Sequence, residues 1–249
     1  MIIYFIYFLL GLVTGSFLNV VIYRLPRGES IVSPPSHCPE CGHELSPWEL
    51  IPVISFALQR GRCRECGSSI SIRYPLVEMV TGLIFLFNAY FFIEGALIAT
   101  GIILGALLLA LSMIDIDRQI LPDKLTLLGL ALGLIISFIR PDIHPLTAVA
   151  GVFAGGGFLF VIAFVSRGGL GGGDIKMMAF VGSFIGPALV MLAIFLGAFI
   201  GLLANIPGLI SGQVGLKSRM PFGPFLAVAS IIMWFFGDSL LSWYLNLIG

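Results

Sequence analysis

The feature that most limits what this chain can fold into is a series of long apolar runs joined by short polar connections. The runs cover residues 2–23, 75–93, 96–114, 125–139, 146–165, 177–210 and 222–247. A helix that crosses a bilayer needs about 20 predominantly apolar residues. The stretch 177–210 is too long for one crossing, and Gly186-Pro187 is expected to divide it. The chain therefore reads as an all-α polytopic membrane protein of about eight transmembrane helices. Composition agrees, with 58% hydrophobic and 10% charged residues and a mean hydropathy of +1.07, against about 25% charged residues in soluble domains. The first run has no positive flank before it and no small-x-small cleavage site, so it reads as a retained span rather than a signal peptide. Gly11 and Gly15 form a GxxxG pair, which lets another helix approach closely, although such pairs also arise by chance in a Gly-rich membrane chain.

Net charge is uninformative, because 13 Lys and Arg balance 13 Asp and Glu. Their distribution is not. With eight spans, one side of the membrane carries residues 24–74, the connection after Asp115, the glycine-rich connection before Asp174 and the loop holding Lys217 and Arg219. Of the 13 basic residues only Arg140 falls on the other side. The positive-inside rule makes the basic side cytoplasmic. The chain then divides into a first span at 1–23, a cytoplasmic lobe at 24–74 and a membrane domain at 75–249.

All four cysteines lie in that lobe, as Cys38-Pro-Glu-Cys41-Gly and Cys63-Arg-Glu-Cys66-Gly. Two CxxC knuckles with a glycine after each suit a tetrahedral four-thiolate site, and four sulfurs leave no open position for catalysis. Cys38, Cys41, Cys63 and Cys66 are therefore expected to hold a structural Zn²⁺. Two disulfides are the competing reading, disfavoured in the cytoplasm. About fifty residues bury little core, and a metal staple meets that need. His37 and His43 flank the knuckles as bystanders.

Two carboxylates stand where a membrane chain rarely keeps them. Asp115 closes the run ending at Ile114, and Asp174 follows Gly171-Gly172-Gly173 and precedes another apolar stretch. Ionisable groups at such depth face a cavity or a partner. Two of them on separate segments raise the prospect of an aspartic-protease dyad, in which one ionised acid activates water and one protonated acid polarises the scissile carbonyl. Asp123 follows Pro122 and reads first as an N-cap. Asp117 reads as a solvated interfacial charge. Asp174 can itself be a cap for a helix starting near Ile175, but the glycines before it permit close backbone approach. Lys176 reads as a positive-inside anchor. The glycine cluster lacks GxGxxG spacing, and no HExxH pair or Ser/His/Asp triad is present.

With those residues in view, the chain resembles the type IV prepilin peptidase family over nearly its whole length. Gly15-Ser-Phe-Leu-Asn-Val-Val-Ile-Tyr-Arg-Leu-Pro26 resembles the first-span signature, and the knuckles match the cytoplasmic cysteine region. Ile72-Arg-Tyr-Pro-Leu-Val-Glu78 resembles the entry to the second span. Ile114-Asp-Ile-Asp-Arg-Gln-Ile-Leu-Pro-Asp123 resembles the first aspartate motif, Gly171-Gly-Gly-Asp-Ile-Lys176 the GxGD pattern, and Pro221-Phe-Gly-Pro224 the last motif. The resemblance implies a bacterial inner-membrane aspartic endopeptidase that removes the basic leader of prepilins or pseudopilins after glycine, on the cytoplasmic side. It implies Asp115 and Asp174 as the catalytic pair, Asp115 being chosen over Asp117 because it stands eight residues before the Asp of Leu-Pro-Asp123. It makes 75–249 the peptidase domain and the four cysteines zinc ligands. It also implies N-methylation of the new terminus with S-adenosylmethionine. No nucleotide-binding loop places that donor; Asn19 and Glu78 can line its site, or simply hydrogen-bond between helices. Prepilins and the lipid bilayer are the expected partners, with no nucleic acid. A proton-coupled transporter is the rival class, since intramembrane carboxylates and Gly-broken helices also suit transport.

Overall fold

A computed structural model describes residues 1–166, 170–210 and 221–248. Arg167, Gly168, Gly169, Lys217 and Arg219 lie outside the described residues. Regular structure among the described residues is helical, apart from two isolated β-bridges, His37 with Glu44 and Arg62 with Ser69. The chain forms two compact units, Met1–Ala110 and Leu111–Gly249.

In the first unit, α1 (Ile2–Arg24) packs along α3 (Arg73–Phe91). The seam is built on missing side chains. A Cβ on Gly11 would lie 2.7 Å from Gly82 Cα, and one on Gly15 would lie 2.6 Å from Glu78 Cα. The GxxxG pair thus does let a second helix backbone come close. Asn19 Nδ2 donates to Tyr74 O at 3.1 Å, tying the two helices where the lobe begins. The lobe contains a 3₁₀ turn, Pro47–Leu50, and the short helix α2 (Ile54–Leu58). Ser46 and Glu49 close a capping box on the 3₁₀ turn, each satisfying an N–H that has no helical partner. Val53 N donates to Glu78 Oε2 at 2.8 Å, so a carboxylate inside α3 anchors the lobe. Val53 has φ 63, a conformation a β-branched residue rarely adopts without surrounding support.

α4 (Gly95–Arg118) runs through the division between the units. The second unit continues with α5 (Asp123–Ile136), α6 (Pro145–Val152), a π-helical turn (Phe153–Gly157), α7 (Phe158–Val165), α8 (Gly172–Ile210) and α9 (Gly223–Ile248). Its core is α8. Gly186, at φ 76, breaks that helix and folds it back on itself. A Cβ on Gly155 would meet both Met178 O and Val190 Cγ2, residues that a straight helix would hold about 18 Å apart. Gly151 and Gly182 meet backbone to backbone, which only glycine permits. The returning arm runs antiparallel to α9, with Gly197 against Leu226, Gly201 against Phe225 and Leu189 against Gly237.

At the fold-back, Arg140 Nη1 donates to Phe184 O at 2.6 Å. Its guanidinium also pairs with Asp142 and lies 5.1 Å from the Trp234 ring centroid. The one basic residue that breaks the charge asymmetry is therefore a buried structural arginine, supplying a donor to a carbonyl near the broken helix.

Among the described residues, six helices are long and apolar enough to cross a membrane, by length and composition. The expected eight is not what that criterion returns. The 14 residues of α5 rise about 21 Å, short of a hydrocarbon core of about 30 Å. The two spans expected on either side of Gly186-Pro187 are joined in one broken helix. The chain is all-helical and multi-pass, with the four-cysteine cluster between α1 and α3.

Candidate functional site

Asp115 lies in the last turn of α4 and Asp174 in the first turn of α8. Both are nearly shut off from solvent, 6% and 9% exposed, and the two carboxyl groups are within electrostatic reach of each other. Asp115 Oδ2 accepts a buried hydrogen bond of 2.9 Å from Gly223 N, at the first residue of α9. A helix N-terminus carries unsatisfied N–H groups and a positive dipole end, which suits an anionic partner. A Cβ on Gly223 would lie 2.8 Å from that same oxygen, so any side chain there would have to displace the Asp115 carboxyl. Leu121, in the connection between α4 and α5, backs both sides: a Cβ on Gly173 would come within 2.8 Å of its Cβ, and one on Gly223 within 3.4 Å of its Cδ2. Three segments remote in sequence thus converge, two of them through glycine.

The neighbouring charges sort differently from expectation. Asp123 is not a side-chain cap: Pro122 occupies the N-cap position and no side-chain cap bond forms. Asp123 sits instead in the first turn, where a negative charge complements the helix dipole, and pairs with Lys176 at 2.6 Å. Lys176 is therefore tied to α5 rather than being only a membrane anchor. Asp174 likewise stands inside the first turn of α8, past the cap. Asp117 is exposed. The role of Gly223 was missed by reading residue types. Its signal was the Pro221-Phe-Gly-Pro224 motif, whose glycine turns out to deliver a backbone N–H.

In the lobe, the two knuckles repeat one local geometry. Cys38 N donates to His43 O at 2.9 Å and Gly42 N to Cys38 O at 2.9 Å; Cys63 N donates to Ser68 O at 2.9 Å and Gly67 N to Cys63 O at 3.0 Å. Gly42 and Gly67 adopt φ 74 and φ 72, closing each loop in the left-handed region. The four sulfurs lie within 4.8 Å of one another. A tetrahedral site with Zn–S of about 2.3 Å needs sulfurs about 3.8 Å apart, and Cys38 Sγ is 3.9 Å from Cys66 Sγ. No disulfide joins them. The cluster can hold a metal ion. Backbone N–H of Cys41, then the Ser68 hydroxyl and the Glu40 N–H, pull the Cys38 thiol down to about 6. The Ser68 side chain lowers Cys66. Cys41 is held up to about 12: the His43 N–H favours its thiolate, but desolvation and the sulfurs of Cys66, Cys38 and Cys63 outweigh it. Four thiols packed so closely cannot all ionise without a cation among them.

His43 is not a ligand in this cluster but contacts Glu49, with Nε2 3.2 Å from Oε2. Glu49 went unnoticed in the sequence, where it is one carboxylate among many.

Comparison with known proteins completes the description. Residues 9–92 match the family described as Bacterial Peptidase A24 N-terminal domain, and residues 102–206 match the Type IV leader peptidase family. The chain is 34% identical over 242 residues to a prepilin leader peptidase/N-methyltransferase of Bacillus subtilis (strain 168), covering 97% of this chain and 98% of that one. It is 35% identical to the protein of that name from Neisseria gonorrhoeae, covering 95% and 93%, and 36% identical to that of Aeromonas hydrophila, covering 96% and 92%. No solved structure matches.

Proposed function

This chain belongs to the type IV leader peptidase family, and from that premise we propose that it cleaves the basic leader from prepilins or pseudopilins after glycine, with Asp115 and Asp174 as the catalytic pair. The observation that carries the assignment is two buried carboxyl groups from distant segments within electrostatic reach of each other, one of them held by Gly223 N–H. In this reading one carboxyl of the pair is ionised and the other protonated, the arrangement two close acids favour. The ionised member takes a proton from water, and the resulting hydroxide attacks the scissile carbonyl carbon. The protonated member donates to the carbonyl oxygen. Collapse of the tetrahedral species breaks the C–N bond, and the proton taken from water goes to the leaving amine.

The topology supports a cytoplasmic site in a bacterial inner membrane. α5, extended by the turn that follows it to Arg140, and both arms of α8 are each taken as a crossing, giving eight. Contacts within the second unit place Leu121 with Gly173 and Gly223 at one end. Arg140 lies with Phe184 and Thr147 with Gly186, one crossing away at the fold-back. Arg118, Lys124 and Lys176 then fall at the aspartate end of this unit, as the positive-inside rule requires of the cytoplasm. The lobe at 24–74 holds Zn²⁺ through its four cysteines as a structural staple, and 75–249 is the peptidase domain. After cleavage, the new N-terminal amine is methylated with S-adenosylmethionine, the second activity carried in the relatives' name.

The test is cleavage of a purified prepilin by wild type, Asp115→Asn and Asp174→Asn, with mass spectrometry of the product terminus. Cleavage after glycine by wild type, lost in both folded variants, is the expected outcome. Cleavage surviving in either variant would remove that residue from the pair. Proton or solute flux in sealed vesicles, without any cleavage, would favour a transporter.

A further inference from the structure

From its 3₁₀ turn to its second cysteine knuckle, the lobe carries a surface of two kinds of side chain. Between residues 47 and 64 every exposed residue is either apolar or an arginine. The one acidic residue in that stretch, Glu49, is buried. Trp48, Ile54 and Leu58 are 76%, 55% and 80% exposed. The two sides of α2 are sorted. Ser55, Phe56 and Gln59 line a cavity of the first unit. Residues three and four apart share a helix face, so Ile54, Ala57 and Leu58 stand together on the opposite side, and all three are exposed. Arg60, Arg62 and Arg64 follow directly. All are exposed, and none forms an ion pair among the described residues.

A hydrogen bond fixes the height of this surface along the spans. Val53, immediately before α2, donates its N–H to Glu78 Oε2 at 2.8 Å. Glu78 stands five residues after Arg73, where α3 begins, and α3 has the length and composition of a membrane span. Five residues rise about 7.5 Å, and the side chain of a helical residue leans back toward the helix start. α2 is therefore held beside the first turns of α3 rather than beyond its end. Those turns carry Tyr74 and Leu76, both exposed. The end of α1, tied to Tyr74 O through Asn19, carries Tyr23 with the Arg27 guanidinium 3.7 Å from its ring centroid. Tyrosines at the ends of a span mark the headgroup layer, and arginines there reach back to it. The apolar face of α2 thus stands at the depth of the headgroups of any bilayer that α1 and α3 cross. Contiguous exposed apolar surface marks an interaction site.

We propose that α2 and the 3₁₀ turn before it are a membrane-interfacial anchor: Trp48 and the face formed by Ile54, Ala57 and Leu58 lie in the headgroup–acyl boundary of the leaflet where α1 ends and α3 begins, and Arg60, Arg62 and Arg64 bind the phosphates of its anionic lipids. The inference needs α1 and α3 to span the bilayer and is independent of the peptidase and methyltransferase readings. Its chemistry is that of an interfacial segment: an apolar face in the acyl boundary, an indole at headgroup level and guanidinium groups on phosphate. A free helix of five residues would not form or bind alone. This one is confined by α1 and α3, so its contacts with lipid are made at high effective concentration. The lobe therefore rests on the bilayer through this face, and the wall of its cavity formed by Ser55, Phe56 and Gln59 is backed by lipid.

The experiment uses the full-length protein, one copy per nanodisc, with Trp48→Phe as background and Leu58→Trp added as a fluorescent reporter. Subtracting the background leaves the emission of residue 58. The discs contain phosphatidylglycerol together with phosphatidylcholine brominated either near the top or near the foot of its acyl chains. Thermal unfolding in detergent that matches wild type reports folding, and Ile54→Trp is a second reporter on the same face. Emission is expected to be blue-shifted and quenched more by the upper bromines than by the lower ones. Arg60→Glu, Arg62→Glu and Arg64→Glu together should weaken docking about fivefold per arginine and about a hundredfold in all, which removes most of the quenching. Water-like emission that neither lipid quenches would overturn the proposal and leave the face to a protein partner. Stronger quenching by the lower bromines would overturn it too, by placing the segment deep in the acyl chains. Full quenching that survives the charge reversal would overturn the assignment of the arginines to lipid phosphates.

Discussion

The cysteine cluster and the aspartate pair solve the problem of gathering polar groups in opposite ways. The cluster draws each pair of ligands from a loop of five residues closed by its own backbone hydrogen bonds and a left-handed glycine. Only the joining of the two loops is long-range. The aspartate site has no such local element. Asp115, Asp174 and Gly223 come from three helix ends and meet because Gly173, Gly223 and the hairpin in α8 let backbones approach. A locally built site should fail as a whole when its staple is removed. One assembled by packing should fail residue by residue, in proportion to how each displaces the others.

Stripping the metal tests the first half of that contrast and should have the largest effect. Metal binding by small thiolate sites is worth about 10–16 kcal/mol of folding free energy. A strong chelator, or Cys63→Ser, should open residues 24–72 to proteolysis while the helices after residue 111 stay protected. A lobe that resists protease after complete metal removal would break the comparison. The aspartate substitutions come next. Asp115→Asn or Asp174→Asn should lower cleavage by about 10²–10⁴-fold or more, the usual span for a positioned acid or base, with no change in helix content. Gly223→Ala keeps both carboxyls but puts a methyl 2.8 Å from Asp115 Oδ2. A misplacement of about 1 Å costs roughly 10²-fold, so kcat should fall well below wild type. Undiminished turnover would show that the Gly223 contact does not position Asp115.

Arg140→Met sharpens the comparison away from both sites. It strips a donor from Phe184 O and should lower stability by about 1–3 kcal/mol, the cost of a buried carbonyl left unpaired, read as thermal unfolding in detergent. The smallest effect concerns acid. Glu49 has its folded value lowered chiefly by the Ser46 N–H. Its contribution is thus fully present above the ordinary carboxylate value of about 4.5 and is lost as pH falls through the lower folded value. Acid also protonates thiolates and releases metal, so the quantity to measure is the difference in lobe stability between wild type and Glu49→Gln. That difference should shrink between pH 6 and pH 3. A constant difference would mean Glu49 acts through packing rather than charge.

Much of the lobe was legible in residue order, because CxxC spacing and the glycine after it specify a loop almost without regard to surroundings. The helical class was legible for a similar reason: apolar runs of membrane length leave few alternatives. The span count was less so. Hydropathy sees runs, but whether Gly186 ends a span or folds a helix onto itself depends on what packs against it, here Gly151 and Gly155. Asp123 misled because Pro-Asp before an apolar run is an N-cap pattern, and nothing in the order of residues announced Lys176 as its partner. Arg140 looked like an exception to a charge rule and proved to be a buried donor.

Sequence alone determined that the chain is a multi-pass helical membrane protein, that its cysteines come as paired knuckles, and that Asp115 and Asp174 are out of place in apolar surroundings. Those properties follow from composition and short-range spacing, which bilayer solvation and local backbone geometry read directly. Tertiary structure alone decided that the two aspartates come within electrostatic reach of each other, that a glycine N–H from residue 223 holds one of them, and that Glu49 is buried in the lobe against Ser46 and His43. These depend on backbones that touch only where side chains are missing, at separations that no local pattern encodes.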